Sequence, residues 1–429
     1  MNLLRLGLCF VCLLSFAAAD ELWESERGRE RVFSALVDVF QDHYWDPDYR
    51  DWSAWAQNYH DEAVGASSRS GFENALGKMV RDLQDDHSRF VGIGSAPLPS
   101  LDDEEPDPVG VGFRHTYLSG LGLVVERVFP GTPAADAGLR RGDLVSHINT
   151  RALRDLGGPF EADRLLRDAI TQGEVTLRVR RKSDSLRLSV APAPVDFERA
   201  ANTPQGEMLD ETTAYLYLPS FKDEGTAAEV HALLGELVEQ GATSLVLDLR
   251  DNLGGRLGEL GLVLGAFIEG TWVEAISRDD IIWRSSYQTD EGSGVNVLED
   301  TDGDPFAGDT LSAPVHFGGP VAVIVSRRNS SAGEVAALVL QEQERATIVG
   351  EPTLGNVEAI QSFDLPDGSL VYVAVANLQG SSGVDYSGGV VPDTEVSTDS
   401  RDLARGFDAP LAEALKALKN LPFTPGKFF

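Results

Sequence analysis

From Thr213 onward, short apolar runs alternate with stretches of helical period, and this alternation limits what the chain can build. Residues 214–218, 244–249 and 321–325 read as strands, and 226–240, 257–268 and 333–341 read as helices. Repeated strand–helix alternation implies a largely parallel sheet covered by helices, because neighbouring parallel strands need a long crossover between them. Gly254 and Gly255 follow the second strand, where the lack of a side chain lets backbone N–H groups approach a common point.

The remainder divides by composition. In residues 20–100, Val32, Phe33, Leu36, Val37 and Phe40 recur at helical spacing, as do Leu76, Met79, Val80 and Leu83. Between these runs an aromatic stripe (Tyr44, Trp45, Trp52, Trp55, Tyr59) reads as packing rather than as a ligand box. A proline- and acid-rich linker, 97–108, leads into short β-like runs with glycine punctuation, so that 101–195 form a second module. A further linker from Ala191 opens the third region, 196–429. Within it, residues 278–310 are polar and glycine-rich, and read as a long insertion or flap. Asp300, Asp302 and Asp304 surround a glycine that falls too early for a helix–loop–helix calcium site, so a solvated acidic turn is expected there.

Composition excludes some partners. The formal charge of −32 argues against nucleic acid and against anionic membrane surfaces, and suits the solubility of an exported protein. Residues 1–19 read as a cleaved signal peptide: Arg5 supplies the positive region, 6–16 are apolar, and Ala17-Ala18-Ala19 precede Asp20. Cys9 and Cys12 leave with it, so the mature chain is expected to lack a thiol nucleophile, a disulfide and a cysteine zinc site. No second segment is long and apolar enough to span a bilayer, and a periplasmic or secreted location follows. No histidine pair suggests a metal, and no cofactor is expected.

Residues 109–190 resemble a PDZ domain. Gly110, Val111, Gly112 and Phe113 match its glycine-hydrophobic loop, Pro130 to Leu139 match its "GSPAAKAGL" turn, and Arg141 to Asn149 match "GDxIxxING". The resemblance implies a peptide-binding module in which backbone donors hold a terminal carboxylate beside an open sheet edge.

The third region resembles the C-terminal processing (tail-specific) and tricorn-core peptidases of family S41. Five motifs occur in that family's order: 215–221 against "YLRIxSF", 245–255 against "LILDLRNNPGG", 329–334 at the "SASE" turn, 349–355 against "VGExTxG", and 389–393 against "GIEPD". The resemblance implies a multidomain α/β protein with an N-terminal helical segment, a PDZ-like β-rich domain and a crotonase-like or ClpP-like hydrolase core. It also implies Ser331 as nucleophile and an oxyanion hole from Ala332, Gly254 and Gly255, at a helix N-terminus suited to negative charge. Glu334 has a second reading as a structural cap of the turn, and Asp248 with Arg250 reads as a buried pair.

The chain departs from this pattern at the base. The C-terminal processing branch has its lysine 25 positions after the serine, where this chain has Asn356, and no lysine lies between Lys222 and Lys416. Asparagine accepts no proton at neutral pH. Tricorn-type relatives use a histidine instead, and residues 83–90 resemble their "LxDxHS" signature, which places His87 as base with Asp86, Ser88 or Asp385 to orient it. A "DPHS"-like turn with a purely structural histidine is the other reading of His87. Two functions follow: a serine peptidase acting on peptides or unfolded protein tails captured by the PDZ domain, or a non-catalytic peptide-binding or adaptor protein that keeps the fold. The second is motivated by Asn356 and by Gly333, which replaces the family's second serine. A homo-oligomer is compatible with either.

Overall fold

The computed structural model describes residues 22–85, 87–93, 108–278 and 280–420. The segment read as a signal peptide, Asp86 and most of the first linker lie outside the described residues. The chain forms two compact units. One gathers the N-terminal region with residues 275–282 and 358–378, and the other contains the remainder.

In the first unit, three helices, Glu26–His43, Trp52–Val64 and Arg69–Arg81, begin at side-chain caps. Ser25 accepts from the Gly28 N–H at 3.0 Å, Asp51 from Ala54 at 3.0 Å and Ser68 from Gly71 at 3.1 Å, each satisfying a donor that the first turn leaves open. Their apolar faces meet around Leu36, Phe40, Leu76 and Met79. The aromatic stripe is packing: Trp55 lies edge-on to Phe40 and to Trp52, with centroids 5.3 and 5.4 Å away. The region is not purely helical, and it is not contiguous. Strand Arg89–Val91 pairs antiparallel with Leu370–Gln379, which also pairs with Ala359–Asp364. Local periodicity carries no trace of partners that arrive almost 300 residues later.

In the second unit, the PDZ-like part is an antiparallel sheet ordered Phe113–Leu118, Gly122–Val128, Leu144–Ile148, Val175–Arg181, Asp184–Val190. Helix Pro159–Gln172 packs Ala162, Leu166 and Ala169 into the cluster of Leu123, Val145 and Leu177. The hydrolase part is a six-stranded sheet ordered Gln205–Met208, Thr213–Tyr217, Ser244–Asp248, Val321–Val325, Ala346–Gly350, Thr394–Glu395. All its pairings are parallel except that of the first strand. Among the strand pairs whose register is described, parallel pairing is confined to this sheet, and one isolated parallel bridge joins Phe221 to Gly255. Val321–Val325 is buried at every position, as expected of a strand covered on both faces.

The segment read as a flap is ordered. Asp280–Asp290, Ser293–Glu299 and Pro305–Ser312 form an antiparallel meander. Ser285, Tyr287 and Asn296 are buried, and the Asn296 amide oxygen accepts from Trp272 Nε1 and from Ser285 Oγ, both at 3.1 Å. Polar residues buried inside a sheet interrupt hydrophobic alternation, and this hid the strands in the sequence. The acidic residues 300–304 form the turn between two of them, with Asp300 Oδ1 accepting from the N–H groups of Asp302 and Asp304 at 3.0 and 2.9 Å. Among the described residues no helix is long and apolar enough to cross a membrane.

His231 is 2% exposed, with Nε2 2.9 Å from the Leu262 carbonyl and Nδ1 accepting from the Val315 N–H at 2.9 Å. Both nitrogens are therefore used by the neutral ring, and burial holds its pKa below the ordinary value. The unfolded chain takes up a proton near pH 6.5 that the folded chain refuses, so stability falls as pH drops below that value, by up to about 1.4 kcal/mol per unit. Urea unfolding at pH 7.5 and 5.5 should show a smaller loss for His231→Gln than for the wild type.

Candidate active site

The site is built on the loop between strand Val321–Val325 and helix Ala332–Glu342. Two asparagines pin it. The Asn329 carboxamide accepts from Ser326 N–H at 2.7 Å and donates to the Leu249 carbonyl at 2.5 Å, and the Asn252 carbonyl accepts from Ser330 N–H at 3.2 Å. The chain then enters the helix through Ser331 at φ +55°, a left-handed value that costs a non-glycine residue about 1–3 kcal/mol. The surroundings impose it: Ser331 N–H donates to the Asn356 carbonyl at 2.6 Å, and its own carbonyl accepts from Glu334 and Val335. The Ser331 side chain caps nothing, so its hydroxyl stays available above the first turn.

Glu334 is fully buried and accepts from the N–H groups of Gly355 and Asn356 at 2.8 and 2.9 Å. It is a structural cap that ties the segment after Gly350 to the serine turn. Asn356, in the position of the family lysine, contributes both backbone groups to this junction, as donor to Glu334 and as acceptor from Ser331. Gly333 also has a packing reason: a Cβ there would lie 2.8 Å from the Asn252 amide oxygen and closer still to its carbonyl. A second serine in that position cannot be accommodated without moving the turn.

Gly254 faces Ser331 directly. At φ +96°, an added Cβ would stand 2.7 Å from Ser331 Cβ and 3.0 Å from Ala332 N. Its N–H donates to the Asn252 amide oxygen at 2.8 Å and is thus engaged within the turn. The N–H groups of Gly255 and Ala332 donate to no acceptor among the described residues. Of the three groups assigned to the oxyanion hole, Gly254 therefore serves by its close backbone approach rather than as a free donor.

In the first unit, His87 follows helix Arg69–Arg81, and its Nδ1 lies 2.8 Å from Glu358 Oε2, with both side chains largely buried. The turn is held by Asp85 Oδ1, which accepts from the His87 N–H at 3.0 Å and from Ser88. Ser88 Oγ accepts from Ala374 N–H at 3.2 Å. The Asp385 carboxylate accepts from Ser387 N–H and Oγ at 2.9 and 2.8 Å. Glu358, which the sequence reading did not single out, is the acid that the first unit brings beside His87 among the described residues. The only signal was its place two residues after Asn356, in the stretch that carries the base in lysine-dependent relatives. Asn252 and Asn329 were missed as well, although buried amides at strand ends are the groups expected to pin irregular backbone.

In the PDZ-like part, Gly110 pairs with Ala193, and Gly112 turns at φ +87°. The Val111 and Gly112 carbonyls accept from Ala134 and Phe129 at 2.7 and 3.0 Å. The N–H groups of Val111 and Gly112 have no acceptor among the described residues. Phe113 opens the edge strand of the sheet. Among the described residues, no group of three or more His, Cys, Asp or Glu side chains gathers to hold a metal.

Residues 212–396 match the peptidase family S41, and residues 124–181 match the PDZ domain family. The chloroplastic C-terminal processing peptidase of Tetradesmus obliquus is 31% identical over 337 residues, spanning 75% of this chain and 67% of that protein. Carboxyl-terminal-processing peptidase 2, chloroplastic, of Arabidopsis thaliana is 30% identical over 330 residues, and the match spans 74% of this chain and 59% of that relative. A putative S41 protease from Bacteroides fragilis shares the fold at TM-score 0.59 and 16% identity, covering 90% of this chain and 97% of that one. The photosystem II D1 C-terminal processing protease shares it at TM-score 0.50 and 24% identity, covering 87% and 96%. With the serine turn, the glycine turn and the PDZ-like sheet in place, the chain belongs to peptidase family S41 and carries a PDZ domain.

Proposed function

We propose that this protein is an exported serine peptidase that cleaves peptides or unfolded C-terminal segments held by its PDZ domain. The observation that carries the reading is Ser331 itself: a serine kept at a strained left-handed φ, uncapped, beside the unengaged N–H of Ala332. Strain of this kind persists only where the surroundings enforce it, and it aims the hydroxyl away from the backbone it would otherwise cap.

Ser331 Oγ attacks the scissile carbonyl, and its proton passes to His87. The Glu358 carboxylate, 2.8 Å from Nδ1, stabilises the imidazolium that forms when the ring takes that proton. The oxyanion that forms is received by the N–H groups of Ala332 and Gly255 at the helix N-terminus. The proton then goes to the departing amine, the C–N bond breaks, and water hydrolyses the acyl-enzyme by the reverse route. The Val111 and Gly112 donors, with the edge strand Phe113–Leu118, suit a peptide that ends in a carboxylate.

Purified protein should degrade an unfolded substrate and take up a fluorophosphonate at Ser331, and Ser331→Ala should abolish both. Cleavage that survives Ser331→Ala would sink the assignment. Peptide binding without turnover or labelling in the wild type would establish the non-catalytic adaptor instead. His87→Ala should slow labelling by about 10²–10⁴-fold, and Glu358→Gln should slow it in the same direction by less. Gly254→Ala, at positive φ and against Ser331 Cβ, should lose about 1–3 kcal/mol of stability together with most turnover, as read by denaturation and by initial rates.

A further inference from the structure

Asp251 opens the glycine turn and is tied to the PDZ domain. Arg114, the second residue of the edge strand Phe113–Leu118, places Nη2 2.7 Å from both carboxylate oxygens of Asp251. Tyr217 donates its hydroxyl to the same carboxylate at 2.8 Å, and Arg328, in the loop before Ser331, approaches to 3.6 Å. A second PDZ arginine, Arg127, lays its guanidinium 4.3 Å over the Tyr217 ring. The Asp251 side chain is 7% exposed; burial alone would raise its pKa, yet Arg114, Tyr217 and Arg328 hold it below the ordinary carboxylate range. From Asp251 the chain runs directly into Asn252, whose carbonyl and amide oxygens hold Ser330 and Gly254.

We propose that Arg114 and Asp251 are a positioning pair: the PDZ strand holds the turn that faces the nucleophile, and the oxyanion site keeps its shape only while that pair is formed. Neither residue touches the substrate's reacting atoms; both act through Asn252 and Gly254. The physical ground is that Asp251 accepts from Arg114 and Tyr217 on two separate segments and draws Arg328 of a third into a longer ion pair, and a buried carboxylate that loses its charged donor moves to find another. A displacement of the turn by a fraction of an ångström is felt in turnover rather than in substrate affinity.

This inference rests on the peptidase reading, and fluorophosphonate labelling separates the two. Wild-type protein should label at Ser331. Arg114→Met and Asp251→Asn should each lower the labelling rate and kcat about tenfold, with KM within about twofold. The double variant should be no slower than either single one, because the two residues act as a unit. Arg114→Lys, which keeps the charge and loses the planar fork, should recover part of the rate, and it carries the test if Arg114→Met fails to fold. Labelling and kcat of Arg114→Met at the wild-type level, with only a lowered Tm, overturn the inference and leave the peptidase reading standing. Multiplied defects in the double variant overturn it as well. Absence of labelling in the wild type removes the peptidase reading and takes the inference with it.

Discussion

The buried carboxylate of Glu334 is the contact on which the site depends. An ion this deep is costly unless its lone pairs are filled, and here two backbone N–H groups and the first turn of a helix supply the compensation. The segment that leaves the sheet at Gly350 is thereby drawn back against the serine turn. Its Asn356 carbonyl then takes the Ser331 N–H and holds that residue at a φ it would not adopt by itself. The strain at the nucleophile and the course of the following segment have one cause.

Asn356 takes its meaning from that contact. Its backbone contribution is independent of the side chain, so the junction survives the loss of lysine and the serine turn keeps its form. In the proposed mechanism the base comes instead from His87, and Glu358 stands beside it within the first unit. Gly333 follows similar logic: the helix start lies so close to Asn252 that a side chain would collide with it. Both departures from the family pattern fit an intact site, which removes the packing grounds for reading the chain as a relic.

Three arginines of this acidic chain meet carboxylates where the PDZ domain adjoins the sheet. Arg141 and Arg250 both pair with Asp408 at 2.9 Å, Arg250 also grips Asp248, and Arg114 grips Asp251. These contacts join the PDZ domain to the parallel sheet inside the second unit. Charge pairs with little exposure hold geometry more than they add stability, because desolvation offsets most of the attraction. A junction made this way fixes orientation, as the proposed capture of a peptide beside the serine turn requires.

Elements with local periodicity were legible in the sequence: the amphipathic helices, the buried strands of the parallel sheet, the glycine turns, and Ser331 with its helix. The meander 280–312 was not, since its buried faces carry polar residues such as Ser285 and Asn296 rather than a run of apolar alternation. By itself the sequence determined the order of most strands and helices, which follows from residue type and spacing, while the PDZ and peptidase modules, the candidate nucleophile and the missing lysine followed from the resemblance that its motifs carry. Only the tertiary structure decided that Glu358 lies beside His87, that the Gly254 N–H is already engaged, and that Arg114 reaches Asp251. Those outcomes depend on which donors and acceptors the fold brings within 3 Å, and partners separated by up to 271 positions leave no periodic mark on the chain.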